Sequence, residues 1–403
     1  MPLHTYPLLL RPPGARPLLL AALVGRIPIG IFSLAIVLVV RQQTGSFAQA
    51  GVATAAFAIG AGVVAPLQGR LVDRLGQPHV LVPSALLNAA SLGGLVAAAG
   101  AGLPTWTLMT LSALGGAAVP PLSACMRSQW ATLFASDRNA RETAYSFESV
   151  VNEVVFIIGP ALTTMLVALI SPAGALLTAI GLGLVGTLAF ASTQLARGWQ
   201  GELGPRTAAG ALGTTGMRTL VMAIVPTGIA FGALEVAMPA FAATQGQSPA
   251  LSGLLLAAMA LGSVLGGIWY GGRTWTQPVA RRFLTLEVTF TAGLLPLLIV
   301  PDSIVAMGLL MVIAGLALAP SAAAGFLLID HVAPPGTATE AYTWAVTANV
   351  TGAAIGAALS GVIVQHADVR WALALAVGGP ALGALIAITR RHSLAEPVGV
   401  ASS

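Results

Sequence analysis

Apolar residues in this chain come in runs long enough to cross a lipid bilayer, with short polar stretches between them. Counting runs of about 18–25 apolar residues, the pattern predicts twelve helices. They lie at roughly 17–40, 47–68, 79–101, 105–126, 143–170, 173–195, 218–243, 250–271, 283–300, 303–329, 339–365 and 370–389. Only Pro301-Asp302 separates the ninth from the tenth. Strands of a membrane barrel would instead alternate polar and apolar positions over about ten residues, and no segment does so. The predicted class is all-α and integral to the membrane.

The pattern also repeats. Pro28-Ile29-Gly30-Ile31 returns as Pro226-Thr227-Gly228-Ile229, 198 residues on. Gly115, Ala117 and Pro120 return as Gly315, Ala317 and Pro320 after 200, and Ala144-Tyr145, Asn152 and Gly159 as Ala341-Tyr342, Asn349 and Gly356 after 197. Single identities mean little in so Ala- and Gly-rich a chain; three ordered sets at one offset indicate a duplicated six-helix bundle. Duplicated bundles of this kind are the plan of secondary transporters, with the solute site between the halves. The expected division is an N-terminal half at 1–195, a polar linker at 196–217, and a C-terminal half with a short tail at 218–403.

Composition agrees with a lipid environment. The chain is 56% hydrophobic and 8% charged, against about 25% charged in soluble proteins. All 18 basic residues are arginine. With the N-terminus inside, fifteen fall on the cytoplasmic side, while Arg41 and Arg370 fall outside and Arg26 lies within the first span. This asymmetry predicts cytoplasmic termini, and it accounts for the net charge of +5 without a nucleic-acid partner. Arg-only usage with abundant Ala, Gly and Pro suggests a GC-rich bacterial genome and hence a bacterial inner membrane. A cleaved signal peptide, with Ala48-Gln49-Ala50 as its cleavage site, is the competing reading of the N-terminus. The first apolar run of about 23 residues exceeds a signal's core of roughly 7–15, so a retained span is expected.

Several chemistries have no footing in the sequence. It carries no Gly-x-x-x-x-Gly-Lys-Ser/Thr phosphate loop and no Gly-x-Ser-x-Gly nucleophile elbow. Its five histidines are scattered away from any metal-ligand spacing, and the one cysteine, Cys125, allows no internal disulfide. No enzymatic activity, metal or cofactor is expected, and the energy for transport would come from a gradient, most simply of protons.

The loop Gly69-Arg70-Leu71-Val72-Asp73-Arg74-Leu75-Gly76 resembles the signature between spans two and three of the major facilitator superfamily, Gly-x-x-x-Asp-Arg/Lys-x-Gly-Arg/Lys-Arg/Lys. The final basic pair is replaced by Gln77-Pro78, and the counterpart Gly267-Ile268-Trp269-Tyr270-Gly271-Gly272-Arg273 lacks the acid. The resemblance implies twelve helices in two pseudo-symmetric bundles working by alternating access. It also implies that Gly69, Asp73, Arg74 and Gly76 form a gating loop, Asp73 and Arg74 latching the halves when the cytoplasmic side is closed. A carboxylate there would face the positive end of span eleven, near Thr339-Glu340, an interaction of roughly 0.3–1 kcal/mol, or ~2 when partly buried. A turn whose arginines only enforce topology is the plainer alternative. In this family spans one, four, seven and ten line the central cavity, and here they carry the repeated breaks Pro28/Gly30, Gly115/Pro120-Pro121, Pro226/Gly228 and Gly315/Pro320.

Charges inside a span are costly and face the interior or a partner. Arg26 and Glu153 sit at similar predicted depths in spans one and five, so an Arg26–Glu153 pair is the economical expectation. Alternatively, Arg26 binds an anionic substrate while Glu153 carries a proton, or Arg26 snorkels to the cytoplasm. Glu148 shares a helical face with Asn152, and Glu142 is placed at the mouth, stabilising a helix N-terminus. Glu235, in the outer half of span seven, is a second candidate proton carrier or a residue exposed at the outer mouth. Glu287, on the peripheral ninth span, is assigned to the interface. Val155-Phe156-Ile157-Ile158-Gly159-Pro160 partly resembles the Gly-Pro signature of proton-driven antiporters of the superfamily, without its flanking glycines. Tyr145 with Gly159 and Pro160 on span five, and Tyr342 with Gly352 and Gly356 on span eleven, would provide rocking contacts between the halves or simple packing.

The expectation is a functional monomer in the lipid bilayer of the drug-efflux-like type, an antiporter exporting small amphipathic molecules against protons. A nutrient importer or facilitator is the alternative, and a membrane sensor or lipid-handling protein a more distant one.

Overall fold

A computed structural model describes residues 3–200, 209–246, 252–299 and 303–395. Twelve helices among them are long and apolar enough to cross a membrane. In chain order they are α1 Ala15–Thr44, α2 Gln49–Leu75, α3 Gln77–Gly100, α4 Thr105–Leu133, α5 Arg138–Leu169 and α6 Pro172–Ser192, then α7 Thr215–Thr244, α8 Ser252–Gly271, α9 Val279–Ile299, α10 Ile304–Val332, α11 Ala338–His366 and α12 Val369–Thr389. Short polar residues start several of them: Ser46, Asp137, Ser171, Thr214 and Ser303 each accept a backbone N–H of the first turn, satisfying donors that a helix start leaves open. Between α2 and α3 the chain reverses at Gly76, whose φ of 87° suits a residue without Cβ. Residues 201–208 of the expected linker lie outside the described residues, as does Pro301-Asp302.

The two halves repeat in their packing. α1 lies against α5 and α6 as α7 lies against α11 and α12; α2 pairs with α4 as α8 pairs with α10. Across the halves, α2 meets α11 and α5 meets both α8 and α10.

The expected breaks on four spans hold for two. α4 opens between Ala117 and Leu122, where Pro120 and Pro121 remove successive N–H donors, and α10 between Gly315 and Leu318. Pro320 then sits in the first turn of the second segment, where a missing N–H costs nothing. α1 and α7 run continuously through Pro28 and Pro226. A single proline there frees one carbonyl without ending the helix.

The structure lengthens the helices at the end carrying the arginine-rich loops. α2 reaches Leu75, α4 reaches Leu133, and α5 begins at Arg138, beyond the apolar runs that predicted them. The added turns hold polar residues that are buried between the halves, which hydropathy alone excludes from a span.

Candidate functional site

At the arginine-rich end the halves are joined by a set of polar contacts. Asp73, on the last turn of α2, is buried and accepts the backbone N–H groups of Thr339 (3.0 Å) and Glu340 (2.8 Å). It caps α11 from the opposite half, placing a negative charge on the positive end of that helix. Gly69 makes the approach possible: a Cβ there would fall on the Glu340 backbone and the Thr343 hydroxyl. Arg70 adds a two-pronged bond to the Glu340 carboxylate at 2.7 and 3.1 Å. The basic partner of this junction is therefore Arg70. Arg74 is exposed, because one residue after Asp73 the helical rotation carries its side chain away from α11; its expected latch role is corrected accordingly.

A second junction joins α5 to α9. Glu142 accepts two hydrogen bonds from Arg282, at 2.7 and 2.8 Å, and a third from Arg138 at 3.1 Å. Glu142 is thus a buried cross-half ion pair rather than a residue at a mouth. Nearby, Thr143 and Ser146 donate to the carbonyls of Gly271 and Gly267 on α8, and the hydroxyls of Ser128 and Thr339 lie 2.9 Å apart. Between the two junctions Tyr145 and Tyr342 meet, hydroxyl to hydroxyl at 2.6 Å, and both donate to the Asp330 carboxylate of α10.

Deeper lies a buried charge cluster. Arg26 of α1 contacts Glu148 of α5 at 2.7 Å, with both side chains fully buried, and also donates to the Leu122 carbonyl at 3.4 Å. The other Glu148 oxygen accepts the Trp130 indole N–H at 3.0 Å. Arg127 lies beside the cluster, its guanidinium 3.9 Å from the Phe326 ring centre on α10, a cation–π contact across the halves. The expected Arg26–Glu153 pair is replaced by Arg26–Glu148. The depth argument used the wrong helix start. α5 begins at Arg138, so Glu148, ten residues in, matches Arg26, eleven residues into α1.

Glu153, one and a half turns further on, is half-buried and interacts with Ser263 of α8 in the other half. Asn152 is half-buried and Glu235 is exposed. Pro28 lines a cavity of about 10 Å³, the size of a single water, with Asn88, Pro120 and Thr187. Gly30 faces the Val155 carbonyl and Gly159, and Gly228 faces the Asn349 carbonyl; Gly352 and Gly356 face Val225 and Ile229. These glycines bring α1 onto α5 and α7 onto α11 inside each half, which is the packing alternative, whereas Tyr145 and Tyr342 are the part of that expectation that meets across the halves. Pro160 is exposed. Glu287, assigned to the interface, is fully buried between Thr227 of α7 and Ser321 of α10.

Arg70 as a latch residue, Arg127, Trp130, Arg282 and Asp330 escaped the sequence reading. The available signal was their position: each lies within two turns of the predicted end of a span, where polar residues are ordinarily assigned to water.

The fold recurs in solved transporters. The chain superimposes on the human organic anion transporter MFSD10 (TETRAN) with a TM-score of 0.73 at 17% identity, covering 94% of this chain and 100% of that one. A bacterial homologue of the iron transporter ferroportin in an outward-facing state gives 0.73 at 13% identity, over 93% and 98% of the two chains. The transporter FucP in its outward conformation gives 0.70 at 13% identity, over 94% and 99%. No individual curated protein matches the sequence significantly. The sequence profile described as Major Facilitator Superfamily matches residues 18–272, which include Asp73 with its loop and eight of the twelve spans, and the chain belongs to that superfamily of membrane transporters.

Proposed function

We propose that the protein exports small amphipathic molecules in exchange for protons by alternating access, as a monomer in a bacterial inner membrane with both termini and the arginine-rich loops in the cytoplasm. The observation that carries alternating access is the Asp73 cap on α11. It spans the two halves, and it exists only while they meet at that end, so it favours one state over another. The structure is then the cytoplasm-closed state, and the outward states of the ferroportin homologue and FucP support that reading.

Export against protons rests on Glu153. A half-buried carboxylate facing a serine hydroxyl across the halves can exchange a proton as the halves part. The sparse charge argues for amphipathic rather than highly ionic cargo. The two halves, 1–195 and 218–403, supply a path within one chain.

Proton release from acidified inverted vesicles, measured on adding each of a panel of solutes to wild type, Glu153→Gln and Glu235→Gln, tests this. Release in wild type that Glu153→Gln abolishes supports exchange with Glu153 as carrier. Loss only in Glu235→Gln moves the carrier to α7. Equilibration of labelled solute with no proton release overturns the exchange and leaves a facilitator.

A further inference from the structure

Glu287 sits where two proline-bearing helices of the C-terminal half, α7 and α10, converge. Its Oε2 is 2.7 Å from the Thr227 hydroxyl, next to Pro226 on α7, and its Oε1 is hydrogen-bonded to the Ser321 hydroxyl, next to Pro320 on α10. The side chain is fully buried, eight residues into α9 from Val279, or ~12 Å at the helical rise.

Among the described residues no cation balances it. Only Ser321 and Thr227 act on the carboxyl among the described residues. The charged groups on the surrounding helices lie elsewhere. Arg282, one and a half turns back on α9, is held by Glu142; Arg281 is exposed. On α7, Arg218 and Glu235 are nine and eight residues from Thr227, about 12–14 Å along the axis. On α10, Asp330 and His331 lie at the far end, with Asp330 engaged by the tyrosines. Arg370 and Arg390 flank α12 at opposite ends, and Arg391 and His392 belong to the short helix Arg391–Ala395 beyond it. An ionised carboxylate with two neutral hydroxyl partners and no counter-charge is an expensive species to bury.

The proton count points the same way. The Thr227 hydroxyl is also 3.2 Å from the Ala223 carbonyl, so its single proton faces two acceptors. A proton on Oε2 resolves the conflict. The carboxyl then donates to Thr227 Oγ1, Thr227 donates to the Ala223 carbonyl, and Ser321 donates to Oε1. Every donor and acceptor is paired.

We infer that Glu287 is a proton-binding site of the C-terminal half, occupied in this conformation, where the neutral carboxyl ties α7 to α10 through Thr227 and Ser321. α10 also packs on α5 of the other half through Phe326 and Asp330, so parting of the halves at the arginine-rich end moves α10 and with it the Ser321 bond to the carboxyl, the step that releases the proton. Loss of the proton removes the donation to Thr227 and loosens the tie between the two helices. The role in coupling rests on the proton-exchange reading above; the occupancy of the site does not.

Infrared spectra of the full-length protein in liposomes at neutral pH read occupancy directly, through the C=O stretch of a protonated carboxyl. The expected result is a band in wild type that Glu287→Gln removes, that Glu153→Gln leaves in place, and that Thr227→Val shifts to higher wavenumber by deleting its hydrogen-bond acceptor. A spectrum unchanged in Glu287→Gln overturns the site. Should Glu287→Gln fail to fold, Thr227→Val decides: a band it does not move is not Glu287, and the inference falls. Solute-induced proton release in vesicles separates the two claims. Release without a Glu287 band removes this site and keeps proton exchange; the band without release keeps the site and removes its coupling role.

Discussion

Tyr145 and Tyr342, 197 residues apart, bring their hydroxyl oxygens within 2.6 Å of each other. They are equivalent positions of the internal repeat, and equivalent residues can touch only beside the axis that relates the halves. The contact therefore marks that axis at the closed end. Asp330, accepting from both, makes the pair a three-way junction rather than a symmetric one.

Removing either hydroxyl should loosen this end. A net loss of about 0.5–1.5 kcal/mol per hydrogen bond corresponds to roughly a 2- to 12-fold shift toward the state open at the arginine-rich end. Spin labels placed by Leu75→Cys and Pro335→Cys, both exposed and carried in a Cys125→Ser background, report the separation of the halves. Tyr145→Phe and Tyr342→Phe should each increase the long-distance population. An unchanged distribution in both would show that the hydroxyls do not contribute to closure.

The Asp73 cap should matter more than the neighbouring ion pair. Loss of a cap costs about 0.5–2 kcal/mol, and Asp73 is buried, whereas the Arg70 side chain is 32% exposed and its pair with Glu340 is screened by water. In the same distance measurement Asp73→Ala should shift the population furthest, Asp73→Asn less, because its amide oxygen still accepts one N–H, and Arg70→Gln least. The reverse order would place the latch in the ion pair.

The buried pair of Arg26 and Glu148 separates a structural from a substrate-binding role. Deleting one member of a buried pair costs about 3–5 kcal/mol, while replacing both by apolar residues is often nearly neutral. Arg26→Gln should therefore lower the thermal midpoint in detergent strongly, and Arg26→Met with Glu148→Leu should recover most of the loss. If Arg26→Gln instead keeps its midpoint and loses transport of anionic solutes alone, Arg26 belongs to the substrate path.

The bilayer explains what could be read in advance and what could not. Twelve spans were legible because a membrane imposes one length on every apolar run. The two-half plan was legible because the repeat kept Pro28/Gly30 and Pro226/Gly228 at one offset. Helix ends at the gate were not: Asp73, Glu142 and Arg127 are polar by composition and buried by position, so hydropathy stops before them. That error moved the start of α5 from Arg138 and paired Arg26 with the wrong glutamate. Glu287 was misplaced for a different reason. Its partners Thr227 and Ser321 lie on helices remote in sequence, and no local pattern announces two hydroxyls converging on one acid.

The glycines supply a test with opposite signs. A Cβ at Gly30 would fall on the Val155 carbonyl, and one at Gly228 on the Asn349 carbonyl. Both obstacles are backbone of a packed helix and cannot rotate away, so alanine forces the helices apart at a cost of about 1–3 kcal/mol. At Gly51 of α2 and Gly361 of α11 a Cβ meets nothing within 4 Å. There alanine brings only its better helix propensity, worth up to about 1 kcal/mol over glycine. Thermal midpoints should fall for Gly30→Ala and Gly228→Ala and hold or rise for Gly51→Ala and Gly361→Ala. Equal changes in all four would mean that helix propensity, and not the close approach of α1 to α5 and α7 to α11, decides the effect. Because Gly30 and Gly228 are repeat equivalents, their two losses should also be similar in size, as expected of one packing solution used twice.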